Sequence, residues 1–214
     1  MKTYLFDFDG TLVDSMPSFV NGMLKILDEN NVKYGDDLIK IITPLGLNGT
    51  ADYFINELGL NITKSKLLEQ MQKNIIDEYF YKIPAKNNVV KVLNALKNQG
   101  ASLNVLTASP HITLDACLKR VGLYDLFDNV WSCDDFFTTK ANPEIYLKVA
   151  EKLGVNVSDV LFLDDNINAD KTAKQAGMKV CGVFDPSSKD GVQEMQAVCD
   201  YYVFDMIELL EIDF

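Results

Sequence analysis

Six residues carry most of the chemistry in this sequence: Asp7, Asp9, Thr107, Lys140, Asp164 and Asp165. Crowded carboxylates repel and raise one another's pKa values unless a cation sits among them. Hard oxygen donors without histidine or cysteine suit Mg²⁺, which keeps some waters and binds through a few carboxylates plus phosphate. Asp7 and Asp9 are two positions apart, so in an extended segment both side chains leave the same face. One is then free to attack while the other handles a proton. A carboxylate is a competent nucleophile toward phosphorus, and a metal and a lysine would stabilise the transferring group. Gly10 lets the backbone turn away tightly beside a ligand.

What positions them is a set of short β-rich runs. These are Thr3–Phe6, Leu103–Leu106, Val130–Ser132, Val160–Leu163, Lys179–Phe184 and Tyr201–Phe204. Helical periodicity lies between them: Val89, Val92, Leu93 and Leu96 before Gly100, then Leu114, Cys117, Leu118 and Val121 before Gly122. Ile145, Val149 and Leu153 precede Gly154, and an Ala-rich stretch runs over 169–177. Strands alternating with helices indicate an α/β fold, a doubly wound parallel sheet covered on both faces. Ligands of such sheets bind beyond the carboxyl ends of the strands. Asp7-Phe8-Asp9-Gly10-Thr11, Thr107-Ala108-Ser109-Pro110, Lys140 and Asp164-Asp165 each follow one of these runs. Ser109-Pro110 and Asn142-Pro143 read as an N-cap and first helical residue, which aims two helix N-termini at an anion on that edge.

One segment breaks the alternation. Residues 15–83 show no strand, only helical stripes: Phe19, Met23, Ile26 and Leu27; then Tyr53, Phe54 and Leu58 before Gly59; then Leu67, Leu68, Met71, Ile75 and Ile76. Pro17 and Pro84 flank it. The expected organisation is an α/β core over 1–14 and 84–214 with a small helical domain inserted at 15–83.

The chain has 214 residues, 31 acids against 20 bases and a net charge of −11. That surface repels phosphate backbones and anionic lipid, which argues against nucleic acid and membrane as partners. Arg120 is the only arginine and His111 the only histidine. Bidentate arginine clamps are thereby nearly unavailable, and multi-histidine zinc sites are excluded. Cys117, Cys133, Cys181 and Cys199 form no C-x-x-C pair and read as small buried hydrophobes of a reducing compartment. With no signal-like apolar stretch after Met1, the expectation is a cytoplasmic protein.

The run Phe6-Asp7-Phe8-Asp9-Gly10-Thr11-Leu12-Val13-Asp14-Ser15 resembles the first signature of the haloacid dehalogenase-like (HAD) superfamily. Thr107 resembles its second motif, Lys140 ahead of Asn142-Pro143-Glu144 its third, and Leu163-Asp164-Asp165 its acidic fourth. The helical insert is similar to the cap of the phosphoglycolate phosphatase and β-phosphoglucomutase branch. The resemblance implies a Rossmann-like core with Asp7 as nucleophile, Asp9 as general acid/base, and Thr107 and the Ala108 amide as phosphate ligands. It implies Lys140 as the charge that steadies phosphate and nucleophile. Mg²⁺ would be held by Asp7, the Asp9 backbone carbonyl and Asp165, with Asp164 in support. Ala108 stands where the motif often has Asn, and Thr139-Lys140-Ala141 where Gly-Lys-Pro is common. The usual downstream acid is left open between Asp170 and Asn168.

The expected function is a Mg²⁺-dependent phosphatase of a small phosphomonoester acting through an aspartyl phosphate, as a monomer or weak homodimer, with the cap closing over the leaving group. A sugar-phosphate mutase is the alternative, and a 2-haloacid dehalogenase or a non-catalytic phosphometabolite-binding module are further ones. Dehalogenation needs no acid at the second position, so Asp9 argues against it. His111 is expected to be partly exposed, and Trp131, Phe136 and Phe137 to serve packing. Pro44-Leu45-Gly46-Leu47-Asn48-Gly49 reads either as a specificity loop of the cap or as an ordinary helix–helix turn.

Overall fold

The computed structural model describes residues 2–42 and 45–214; the Phe19 side chain of the first expected stripe and Pro44 of the 44–49 segment lie outside the described residues. Six parallel strands form one sheet: β1 (Thr3–Phe6), β2 (Ser102–Thr107), β3 (Asn129–Ser132), β4 (Val160–Asp164), β5 (Lys179–Val183) and β6 (Tyr201–Val203), in the order β3-β2-β1-β4-β5-β6. The central strands β1 and β4 are buried along their whole length, as the apolar runs Tyr4–Phe6 and Val160–Leu163 require of strands covered on both faces. β1 pairs with β2 on one side, Thr3 with Ser102, and with β4 on the other, Thr3 with Val160.

The chain divides into two compact units, Met1–Asp14 with Pro84–Phe214, and Ser15–Ile83. In the first, helices α5 (Val89–Asn98), α6 (His111–Arg120), α7 (Glu144–Leu153), α8 (Ile167–Ala176) and α9 (Val192–Val198) alternate with the strands. Its core includes Leu5, Leu106, Ile145, Tyr146, Val149, Phe162 and Val180. Asn104, fully buried in β2, donates to the Tyr4 carbonyl at 3.2 Å and accepts from Asn129 at 2.8 Å, so this polar side chain is satisfied where it lies.

The second unit is helical: α1 (Met16–Glu29), α2 (Leu38–Ile42), α3 (Gly46–Asn56) and α4 (Lys64–Tyr81). Met23, Ile26, Leu27, Phe54, Leu67 and Met71 meet in its own core, as their helical spacing demands. The Thr63 side chain accepts from Lys66 N and caps α4. Residues 46–49, read as loop or turn, are instead the first turn of α3. Among the described residues no helix is long and apolar enough to cross a membrane.

Candidate active site

The carboxyl ends of β1, β2 and β4, and the segment between β3 and α7, deliver the expected residues to one place. Asp7 continues the β1 ladder by donating its N–H to the Leu163 carbonyl at 2.8 Å, which brings it beside the end of β4. The Lys140 ammonium donates to Asp7 Oδ1 and, at 2.8 Å, to Asp164 Oδ2. The other Asp164 oxygen accepts from Asn166 N at 2.8 Å, so both oxygens of this side chain are engaged. The Tyr146 hydroxyl lies 3.2 Å from the carbonyl oxygens of Lys140 and Ala169, tying the lysine-bearing segment to α8. A cavity of about 350 Å³ is lined by Asp7, Asp9, Thr107, Ala108, Lys140 and Asn168, among others. An anion there would meet the Lys140 charge and the Thr107–Ala108 turn.

After Asp7 the chain turns sharply. Leu12 N and Val13 N both donate to the Phe8 carbonyl, and Gly10 N donates to the Val13 carbonyl at 3.0 Å. Gly10 has φ +73°, and a Cβ built there would lie 2.5 Å from Asp165 Oδ2. Glycine is required on both counts: left-handed backbone and close approach. Thr11, fully buried, donates its hydroxyl to Asp165 Oδ1 at 3.4 Å.

The electrostatics of the cluster are those of too much negative charge. Asp7, Asp164 and Asp165 offer oxygens within 4.8 Å of one another. Burial, then repulsion from Asp164, raises the Asp7 carboxyl well above the usual range despite Lys140. Burial and the charges of Asp164 and Asp185 push Asp165 up to about 7, with Lys86 acting in the opposite sense. Burial works against the charged form of Lys140, but Asp164 and Asp7 outweigh it and hold the ammonium protonated. Three carboxylates facing one lysine make a hard-oxygen, net-negative donor set, and such a set fits a Mg²⁺ ion.

Other expectations fare differently. Ser109 is not the N-cap of α6: Pro110 holds that position without a side-chain cap, and the Ser109 hydroxyl donates to Asp9 Oδ2 instead. Asn142 does accept from Glu144 N at 3.0 Å at the start of α7, although Pro143 occupies the cap position. Asp170 is fully buried in α8, where Oδ2 accepts from the Cys199 thiol at 3.2 Å and Oδ1 has no hydrogen-bond partner among the described residues. It is thus not one of the three clustered carboxylates. The thiols of Cys117, Cys133 and Cys181 are buried, and Cys199 is half-buried. Trp131 packs edge-on to the buried Phe136, but Phe137 is 96% exposed and contributes no packing, because its left-handed backbone turns the ring outward.

His111 bridges two elements. Its Nδ1 is 2.9 Å from Asp115 and its Nε2 2.9 Å from Asp135, in the segment after β3. Hydrogen bonds donated to the Asp115 and Asp135 carboxylates raise the imidazole above its ordinary value.

Sequence reasoning missed Lys86 and Asp185. The Lys86 ammonium donates to the carbonyls of Gly10 at 2.5 Å and Phe184 at 2.7 Å, and to Asp185 Oδ2 at 3.0 Å. Only its nearness to Pro84, read as a boundary marker, bore on this position in the sequence.

Comparison with known proteins adds to the geometry. The family model described as haloacid dehalogenase-like hydrolase matches residues 4–183. The pyrophosphatase PpaX of Bacillus velezensis is 29% identical over 97% of this chain and 94% of its own length. The phosphorylated carbohydrates phosphatase of Thermotoga maritima is 28% identical over 92% of this chain and 91% of its own length. The crystal structure of a HAD family hydrolase from Deinococcus radiodurans, with bound phosphate and sodium, superposes with a TM-score of 0.81. It covers 98% of this chain and 93% of that one at 19% identity, a likeness of fold.

Proposed function

Since the chain belongs to the haloacid dehalogenase-like hydrolase family, we propose that it is a cytoplasmic, Mg²⁺-dependent phosphatase of a small phosphorylated metabolite. The observation that carries this reading is the meeting of Asp7, Asp164 and Asp165 with Lys140 at adjoining strand ends. Two relatives of nearly equal length bear phosphatase names, which supports the same chemistry.

In this proposal an Asp7 carboxylate oxygen attacks phosphorus and the bond from phosphorus to the leaving oxygen breaks. Asp9 gives that oxygen its proton, so the alcohol departs neutral and an aspartyl phosphate remains on Asp7. Asp9, now ionised, takes a proton from water as the water oxygen attacks phosphorus. Inorganic phosphate leaves, and both carboxyls return to their starting states. The Ser109 hydroxyl orients Asp9 between these two roles. Lys140 steadies the charge on Asp7 and on the phosphoryl group, which the Thr107 hydroxyl and Ala108 N–H would also bind. Asp7 and Asp165, with the Asp9 carbonyl and support from Asp164, would hold Mg²⁺, which when bound neutralises charge on the transferring group.

The test is phosphate release from a panel of phosphomonoesters, p-nitrophenyl phosphate included, with and without Mg²⁺, beside Asp7→Asn. Metal-dependent release that the variant lacks is expected. Full turnover by Asp7→Asn would overturn the mechanism. Release without an added bisphosphate primer separates this reading from a mutase.

A further inference from the structure

We propose that Lys86 is a positioning residue for the cation site: its ammonium fixes the Gly10 carbonyl, and through it the Asp9–Thr11 turn, against Asp165. The inference rests on the metal reading above and extends it to a residue outside the four signatures.

Lys86 has a side chain only 18% exposed and its partner Asp185 one only 1% exposed, so the pair is largely withdrawn from water. An ammonium has three protons. Here each has an acceptor: the Gly10 carbonyl in the turn after β1, the Phe184 carbonyl just past β5, and Asp185. A lysine wanted only to neutralise Asp185 would not need the other two. The backbone of the same segment is bound to the same turn. Lys86 N donates to the Leu12 carbonyl at 3.0 Å, Asp14 N to the Pro84 carbonyl at 3.0 Å, and Val13 bridges Ala85. Asp185 is held in turn, its Oδ1 accepting from Ser187 N at 2.9 Å and Ser187 Oγ at 2.6 Å.

The turn so anchored is the one that packs on Asp165. Gly10 Cα approaches the Asp165 carboxylate too closely for any side chain, and the Thr11 hydroxyl reaches its Oδ1. The Asp9 carbonyl and the Asp165 carboxylate belong to different strand ends, and Lys86 is the tie that keeps the Gly10 peptide, next to Asp9, in register with β5. Charge and position predict opposite signs for its removal. A cation taken from beside Asp165 strengthens Mg²⁺ binding by Coulomb attraction alone. A turn released from its anchor weakens it, because the ligands are no longer pre-arranged.

The experiment uses Mg²⁺ itself as probe, titrated calorimetrically into the metal-free full chain, with no substrate present. The double variant Lys86→Met/Asp185→Asn removes the tie and leaves the net charge of the pair at zero. Its Mg²⁺ affinity is expected to fall at least tenfold, with circular dichroism unchanged. Lys86→Arg, which keeps the charge but replaces a compact ammonium by a planar fork, is expected to lose affinity too. Affinity equal to or tighter than the parent's in the double variant overturns the proposal. Should the double variant not fold, unchanged affinity in Lys86→Arg overturns it equally. A parent that binds no Mg²⁺ overturns it together with the metal reading, whereas a parent that binds Mg²⁺ and releases no phosphate overturns only the phosphatase assignment.

Discussion

Gly10→Ala isolates the contact on which the candidate site turns. The added Cβ would meet Asp165 Oδ2 at 2.5 Å and its Cγ and Oδ1 at 2.6 Å, whereas ordinary contact begins at 3.4 Å. Because all three carboxylate atoms are too close, rotating the carboxylate about its own axis gives no relief. Asp165 must retreat bodily, by roughly 0.9 Å at Oδ2 if the turn holds. Misplacing a catalytic group by about 1 Å costs on the order of 10²-fold in rate, or about 2.7 kcal/mol of transition-state stabilisation. The backbone adds a separate penalty, since φ +73° costs a residue with a Cβ about 1–2 kcal/mol of stability. Gly154→Ala is the control: it ends α7 at φ +68° with nothing within 4 Å of a built Cβ, so it shows the backbone penalty alone. The assay pairs urea denaturation with kcat/KM for p-nitrophenyl phosphate release. Gly10→Ala is expected to lose more stability than Gly154→Ala, by the cost of displacing Asp165, and it alone the activity. The reasoning fails if Gly10→Ala keeps activity within a fewfold of Gly154→Ala.

Two further outcomes follow from the electrostatics. Lys140→Met strands Asp7 and Asp164 without their buried cation and should lower metal-free stability by about 3–5 kcal/mol near pH 8. Asp7 already titrates above its unfolded value, so the stability it lends is present at low pH and lost as pH rises, more so without Lys140. Urea midpoints at pH 5.5 and 8 should therefore show a smaller gap between variant and parent at the lower pH; equal gaps refute this. The single histidine gives one imidazole resonance set by proton NMR. Its midpoint should lie above about 6.5 and fall toward that value in Asp115→Asn and in Asp135→Asn. The contribution of His111 to stability is then full below about pH 6.5 and is lost as pH rises through the folded midpoint, and a parent midpoint at or below 6.5 contradicts the two contacts.

The strands were readable because burial on both faces biases parallel strands toward apolar runs. Thr3–Phe6 and the start of β4 at Val160 appear where the apolar runs do. Since side chains at strand ends must leave the sheet at one edge, Asp7, Thr107 and Asp164 could also be assigned a common edge from sequence alone. What escaped depends on partners far along the chain. Lys86 carries no local sign that its ammonium reaches residues 10, 184 and 185. Ser109 has the composition of a cap, yet Pro110 takes that position and the Ser109 hydroxyl donates to Asp9, a charge-assisted bond to a residue a hundred positions away, instead of accepting from a backbone N–H of α6. The short helices α2 and α9 span too few turns to display a periodicity, and Gly46–Gly49 look like a turn because glycine usually is one.

The central position of β1 also bears on how the chain acquires its shape. Thr3 pairs with Ser102 and Val160, both far later in the chain, so β1 is synthesised before either partner and waits for both. The helical unit, by contrast, closes its core entirely within Ser15–Ile83. Local contacts form fast and distant parallel pairings form slowly. The inserted helices are therefore placed to fold first, while the first strand stays unpaired and open to aggregation until β2 and β4 arrive. A destabilised β4 would then show itself as lost yield on expression before it showed as lost turnover.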